Sequence, residues 1–329
     1  MSKIIIGIHG LSNKPPKSVL EKWWKKSIKE GLKRIGRSRY FLNFTLVYWA
    51  DCLYEKPLNP FEKNSAHVLY IDDPYIKGVG CNGKGKIGAI KRYVRKNIYN
   101  VIENVIFNRT RYFNFNRVAY AIIKKKFKDL YEYYKGESNV KENYGKKVKD
   151  IIRERLYNCL IKNKNKEILL IAHSMGSIIA YDVLSMLPPE IKIHGFITIG
   201  APLNNAVIKN NIYEEHKQHY NERLLVPSAI KGYWINLHDP LDVVSQGQQL
   251  ANIFLPNSDY ISVIDQDVCN DYEMAGRENR HKSYGYLRTE QVATFIDEFF
   301  EKESIWNKIK KIYNKLTMKK DLPKNSITI

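Results

Sequence analysis

A chain of 329 residues that is 44% hydrophobic has room for one large α/β domain with insertions, or for two domains, and enough apolar content for a real core. It contains no run of about 18 apolar residues, so no membrane-spanning helix is expected, and its N-terminal apolar run is too short for a signal peptide. A net charge of +20 favours anionic partners such as phospholipid surfaces, nucleic acid or acidic metabolites, although heavy use of Lys, Ile, Asn and Tyr also fits the codon bias of an AT-rich genome.

Ile4–Ile8 predicts a buried first strand, leading into His9-Gly10-Leu11 and a polar, proline-containing loop over Ser12–Lys17. Ser18–Ile35 predicts a helix with Leu20, Trp23, Trp24, Ile28 and Leu32 on one face. Asn43–Trp49 predicts the next strand. Residues 51–145 then break the rhythm. They open with Pro57, Pro60 and Pro74 and show helical patterns around Ile90–Ile106 and Val118–Tyr134. They read as a lid or cap inserted into a core formed by residues 1–50 and 146–300.

Val148–Asn163 predicts a helix leading to the most informative stretch of the chain. Glu167–His173 is an apolar, strand-like run. It ends at Ser174, with Ala172 and Gly176 two residues to either side, and an amphipathic run containing Ile178, Ile179, Tyr181, Val183, Leu184 and Leu187 begins at once. A strand that turns sharply into a helix around a serine, with small residues where the two cross, is a nucleophile elbow. The competing reading is an ordinary strand–turn–helix in which Ser174 caps the helix. As an elbow, it exposes the Ser174 hydroxyl and aims the Met175 N–H, at the helix start, as an oxyanion donor. That predicts acyl transfer, most simply ester hydrolysis.

Ile193–Gly200 predicts another buried strand, followed by a smaller insertion over 204–230. Tyr233–Leu237 and Tyr260–Val263 predict two further strands, and Ser283–Phe300 a closing helix. Strands separated by helices predict a mostly parallel central sheet with helices on both faces. Sites in such sheets lie at the carboxyl ends of the strands. The Leu11 N–H, after the first strand, is placed as the second oxyanion donor. Asp239 and Asp242 follow the strand Tyr233–Leu237, and His281 follows the last. His281 is the candidate general base and Asp242 its orienting acid, with Asp239 the alternative acid and His238 the alternative base. Asp242 is preferred because it lies beside Val243 and Val244. Asp239 precedes Pro240 and reads as a turn former. His173 is expected to point away from the cleft.

His9-Gly10-Leu11, Ala172-His173-Ser174-Met175-Gly176-Ser177, Thr198-Ile199-Gly200-Ala201-Pro202-Leu203, Asp239–Val244, and His281 with Tyr284 together resemble the α/β-hydrolase superfamily, and most closely serine esterases and lipases of the bacterial type. The resemblance spans the chain apart from the 51–145 insertion and the tail. It implies an α/β-hydrolase fold and a Ser-Asp-His acyl-enzyme mechanism, with no metal and no organic cofactor. Ala172 departs from the commoner glycine.

Cys52, Cys81, Cys159 and Cys269 show no C-x-x-C spacing, which predicts neither a disulfide framework nor a zinc site and fits a reducing, cytoplasmic setting. Ile305, Trp306, Ile309, Ile312, Tyr313 and Leu316 fall on one face of a lysine-rich helical pattern in the 301–329 tail, and Ile90–Ile102 repeats the theme. These segments either pack on the domain or touch an anionic membrane, in which case the substrate is a lipid ester. No nucleic-acid motif is found, since Asn82–Lys86 lacks the spacing of a phosphate loop. A catalytically silent hydrolase fold, serving as a basic membrane- or nucleic-acid-binding module, is the alternative function. The oligomeric state is not encoded in any of these features.

Overall fold

The computed structural model describes residues 1–39, 41–81, 128–137, 144–216, 219–220, 223–245 and 249–301. The helical patterns at Ile90–Ile106 and in the 301–329 tail lie outside the described residues, apart from Glu301. In chain order the main elements are β1 (Lys3–Ile8), α1 (Lys17–Arg34), β2 (Phe44–Val47), α2 (Lys128–Lys135), α3 (Val148–Lys162), β3 (Glu167–His173), α4 (Met175–Met186), β4 (Ile193–Ile199), α5 (Ala206–His216), β5 (Ile230–His238), β6 (Val263–Asp267), α6 (Ser283–Leu287) and α7 (Glu290–Phe300).

The six strands form one sheet in the order β2-β1-β3-β4-β5-β6, and every pairing is parallel. Alternate residues serve opposite faces. Ile5, Leu169, Ile171, Ile197 and Ile235 pack against α1 and α7. Ile4, Ile6, Ile168, Leu170 and Phe196 pack against α3 and α4. Both faces are therefore covered, which is why these strands read as unbroken apolar runs rather than as alternating patterns. Each fully buried Ile or Leu contributes about 1.5–3 kcal/mol. This is the α/β-hydrolase type of architecture. The chain leaves β1 for β2 on one side and returns to β3 on the other, so the loops after β1 and β3 diverge and open a crevice at their carboxyl ends.

Three elements differ from the sequence expectation. The last strand is Val263–Asp267 rather than Tyr260–Val263. Tyr260 has φ 59° and is exposed, in a turn where the Asn257 side chain accepts from the N–H of Ile261. The true strand is the sheet edge, so it carries Asp265, Gln266 and Asp267 and lacks the apolar run of a central strand. The closing helix is broken in two. Thr289 caps a fresh start by accepting from the Val292 N–H, while Arg288 turns inward. Finally, α4 is buried on every side from Met175 to Leu184 rather than amphipathic, because it lies between the sheet, α3 and α5.

The cysteine expectation is also corrected. Cys81 and Cys269 form a disulfide across 188 residues, with Cα atoms 6.3 Å apart, while Cys52 and Cys159 are free thiols. A pairing between distant loops leaves no spacing signature. It also removes the support that cysteine usage gave to a reducing compartment. Among the described residues no helix is long and apolar enough to cross a membrane.

Candidate active site

Ser174 sits at the tip of the β3–α4 turn with φ 53° and ψ −127°, a conformation that a residue with a side chain adopts only under constraint. The constraint is local packing. A Cβ on Gly176 would lie 2.7 Å from the carbonyl oxygens of both Ile8 and His9, so α4 starts in direct contact with the end of β1. A Cβ on Gly10 would lie 2.8 Å from the Ser174 Cβ, which places the His9-Gly10-Leu11 turn hard against the serine. The Ser174 side chain makes no capping hydrogen bond to α4, which disposes of the helix-cap reading. Its hydroxyl lies 2.9 Å from His281 Nε2 instead.

The other His281 nitrogen, Nδ1, is 2.8 Å from Asp242 Oδ2. A carboxylate only accepts, so Nδ1 carries the proton and Nε2 is left to accept from Ser174. Asp242 is 1% exposed. Burial alone would raise its pKa, but the His281 charge and hydrogen bonds from His281, Tyr286 and the Val244 N–H outweigh it and hold the carboxyl below its ordinary value. The structure thus brings Ser174, His281 and Asp242 into one chain of hydrogen bonds. Asp239 lies outside it. One of its oxygens accepts from the Leu241 N–H and the other from the Asn270 N–H, the turn-forming role its sequence context suggested. His238 pairs with Asp267 at 2.7 Å and is not joined to Ser174.

Leu11 follows the Gly10 turn that packs against Ser174, and Met175 follows Ser174 in the chain. Among the described residues neither N–H donates to a protein acceptor. Ser174, His281 and Leu11 line a cavity of about 430 Å³ whose walls include Trp23 of α1 and Leu58 and Val68 of the insertion.

His173 corrects an expectation. It faces the cleft wall, with its ring 4.9 Å from that of His281 and its Nε2 2.8 Å from the His281 carbonyl oxygen. Burial and the neighbouring His281 push its pKa well down, so it is neutral and its Nε2–H supports the loop that carries the base. Two further supports have no sequence signature of their own. Tyr286 donates to Asp242 at 2.7 Å while accepting from the Asp239 N–H. Lys14, beside the cleft, donates to the carbonyls of Leu11 and Ser12. Burial, and then the charge of Lys282, brings the Lys14 pKa down to about 7, although Asp129 pulls the other way.

Asp182 of α4, with Glu215 and His216 of α5, forms a compact set of potential metal ligands. The Arg153 guanidinium already bridges the two carboxylates, at 2.5 Å and 2.6 Å, and Lys149 pairs with Glu215 at 2.7 Å, so two cations offset two carboxylates and this cluster is an ion-pair network tying α3, α4 and α5 together.

Residues 131–222 match the family model of lecithin:cholesterol acyltransferase. The matched stretch runs from within α2 past α5. It contains Ser174 but neither Asp242 nor His281. No curated protein matches the chain.

Proposed function

We propose that this chain is a serine hydrolase or acyltransferase acting on carboxylic esters of lipids. The observation that carries the reading is the unbroken relay from Asp242 through His281 to Ser174, with separations of 2.8 Å and 2.9 Å. The similarity of residues 131–222 to a lipid acyltransferase family supports the lipid class.

In this mechanism Ser174 Oγ attacks the ester carbonyl carbon and its proton passes to His281 Nε2. Asp242 holds the ring orientation and stabilises the imidazolium. The negative oxygen of the tetrahedral intermediate takes hydrogen bonds from the Leu11 and Met175 N–H groups. Collapse breaks the ester C–O bond, and the departing alkoxide leaves as the alcohol with the proton from His281. Water, or a second alcohol in transfer, then attacks the acyl-enzyme by the reverse sequence. No metal or organic cofactor enters these steps. The 51–145 insertion is proposed as a cover for the cleft, since Leu58, Val68, Tyr70 and Ile71 already line its wall.

The test is hydrolysis of p-nitrophenyl esters across chain lengths by the wild type and by Ser174→Ala, with fluorophosphonate labelling alongside. Expected are labelling and turnover that vanish in the variant, with a preference for longer acyl chains. Turnover that survives the substitution overturns the reading.

A further inference from the structure

We propose that Asp129, on α2 of the insertion, is a positioning residue that holds the oxyanion loop in its working shape. The proposal rests on the reading of the Leu11 N–H as an oxyanion donor. Leu11 belongs to no regular element, and a donor on a free loop would lose the orientation that oxyanion stabilisation needs.

The next residue shows how the loop is restrained. Ser12 has φ 75°, in the left-handed region that a residue with a side chain avoids unless other contacts hold it there. Its N–H donates to Asp129 Oδ2 at 2.5 Å, a contact between residues 117 apart in sequence. The second oxygen of Asp129 accepts from the Tyr54 hydroxyl at 2.6 Å, so the carboxylate is itself oriented. From inside the loop, Lys14 Nζ donates to the Leu11 carbonyl, on the opposite side of that same peptide, and to the Ser12 carbonyl of the next one.

Asp129 is 4% exposed. Burying a carboxylate is costly, so an acid placed here, on one amide and one hydroxyl and within reach of the Lys14 charge, needs a reason. Docking of α2 is not that reason. Four residues on, Tyr133 already anchors the helix, donating to Asp182 of α4 at 2.5 Å and accepting from Arg153 Nε at 2.9 Å. These two residues of α2 therefore serve different elements. Tyr133 touches the helix that begins at Met175, and Asp129 touches the loop that carries Leu11.

The experiment compares Asp129→Leu, which keeps the branched outline of the side chain but neither acceptor, with Asp129→Asn. An asparagine retains an oxygen for the Ser12 N–H and offers an N–H to the Tyr54 oxygen. Turnover is expressed per site titrated by a fluorophosphonate, so that loss of folded protein does not count. We expect kcat per titrated site to fall about 10- to 100-fold in Asp129→Leu with KM nearly unchanged, since an oxyanion donor acts on the transition state. Inhibition by a boronic acid, which forms a tetrahedral adduct, should weaken in parallel. Asp129→Asn should stay within about threefold of wild type, because both hydrogen bonds persist.

If Asp129→Leu does not fold, Tyr54→Phe carries the test, with an expected fall in kcat of about threefold and an unchanged KM. Wild-type kcat per titrated site in the Leu variant, or in the Phe variant where that is used, overturns the proposal. A loss in Asp129→Asn as large as in Asp129→Leu also overturns it. Wild-type turnover that is unaffected by Ser174→Ala overturns the hydrolase reading, and this proposal falls with it.

Discussion

The two halves of the candidate site are held by different forces. The serine half is built from β3, α4 and the end of β1, and it is fixed by backbone contact. α4 touches the Ile8 and His9 carbonyls at Gly176, and its first ten residues are buried. The histidine half lies on the irregular segment from Cys269 to Thr289 and is fixed by charge, side-chain hydrogen bonds and a covalent link. There Asp271 pairs with Arg288 at 2.5 Å and Arg34 at 2.6 Å, Asn270 donates to the Lys282 carbonyl, Asn279 donates to Asp73, and Cys269 is bonded to Cys81. The lesson is that the Ser174 half should be sensitive to added volume, and the His281 half to acid and reductant.

The strongest way to break that contrast is at Asp271. The Arg288 side chain is fully buried, and Asp271→Ala removes its closest charge partner. The variant should lose about 3–5 kcal/mol of stability, read by urea unfolding. The pH dependence follows from the same pair. Burial would raise the Asp271 pKa, but the Arg288 charge and hydrogen bonds from Arg288 and Arg34 outweigh it, so the folded value lies below the ordinary 3.8. The native state then binds fewer protons than the unfolded chain as acid is added. The stability Asp271 contributes is thus complete above pH 3.8 and lost as pH falls through the lowered value. The gap between wild type and Asp271→Asn should close over that window.

A smaller effect is expected from a reductant. Opening Cys81–Cys269 should cost about 2–4 kcal/mol, visible as a lower melting temperature, while a protein with both cysteines replaced by serine should show no response to reductant. Gly176→Ala sharpens the other side. Its Cβ has no room beside two backbone oxygens, and overpacking of this kind costs about 1–3 kcal/mol. Its effect should not change as pH falls from 7 to below 3.8, in contrast to that of Asp271. An effect that tracked acid would mean that the two halves share their supports.

The same contrast explains what the sequence could reveal. Ser174 was legible because its strand, its small neighbours and its helix are contiguous. Asp242 and His281 could be placed near Ser174 because each lies in a segment that follows a strand, in an order set by topology. The chain Asp129–Ser12–Leu11 was not, since a bond between residues 117 apart follows no local period. His173 was misread because the alternation of a strand does not continue through the elbow. The edge strand β6 was misplaced because half-exposed strands lack an apolar run, and the disulfide because its cysteines belong to loops that only folding brings together.

That disulfide also makes the chain between residues 81 and 269 a closed ring containing Ser174 and Asp242, with His281 just outside it. A protease cut between residues 82 and 268 yields two fragments that travel as one molecule on a non-reducing gel and separate only when thiol is added. Ser174 and His281 would stay tethered through such a nick, so the survival of this chain under proteolysis depends on the redox state around it as well as on the strength of its fold.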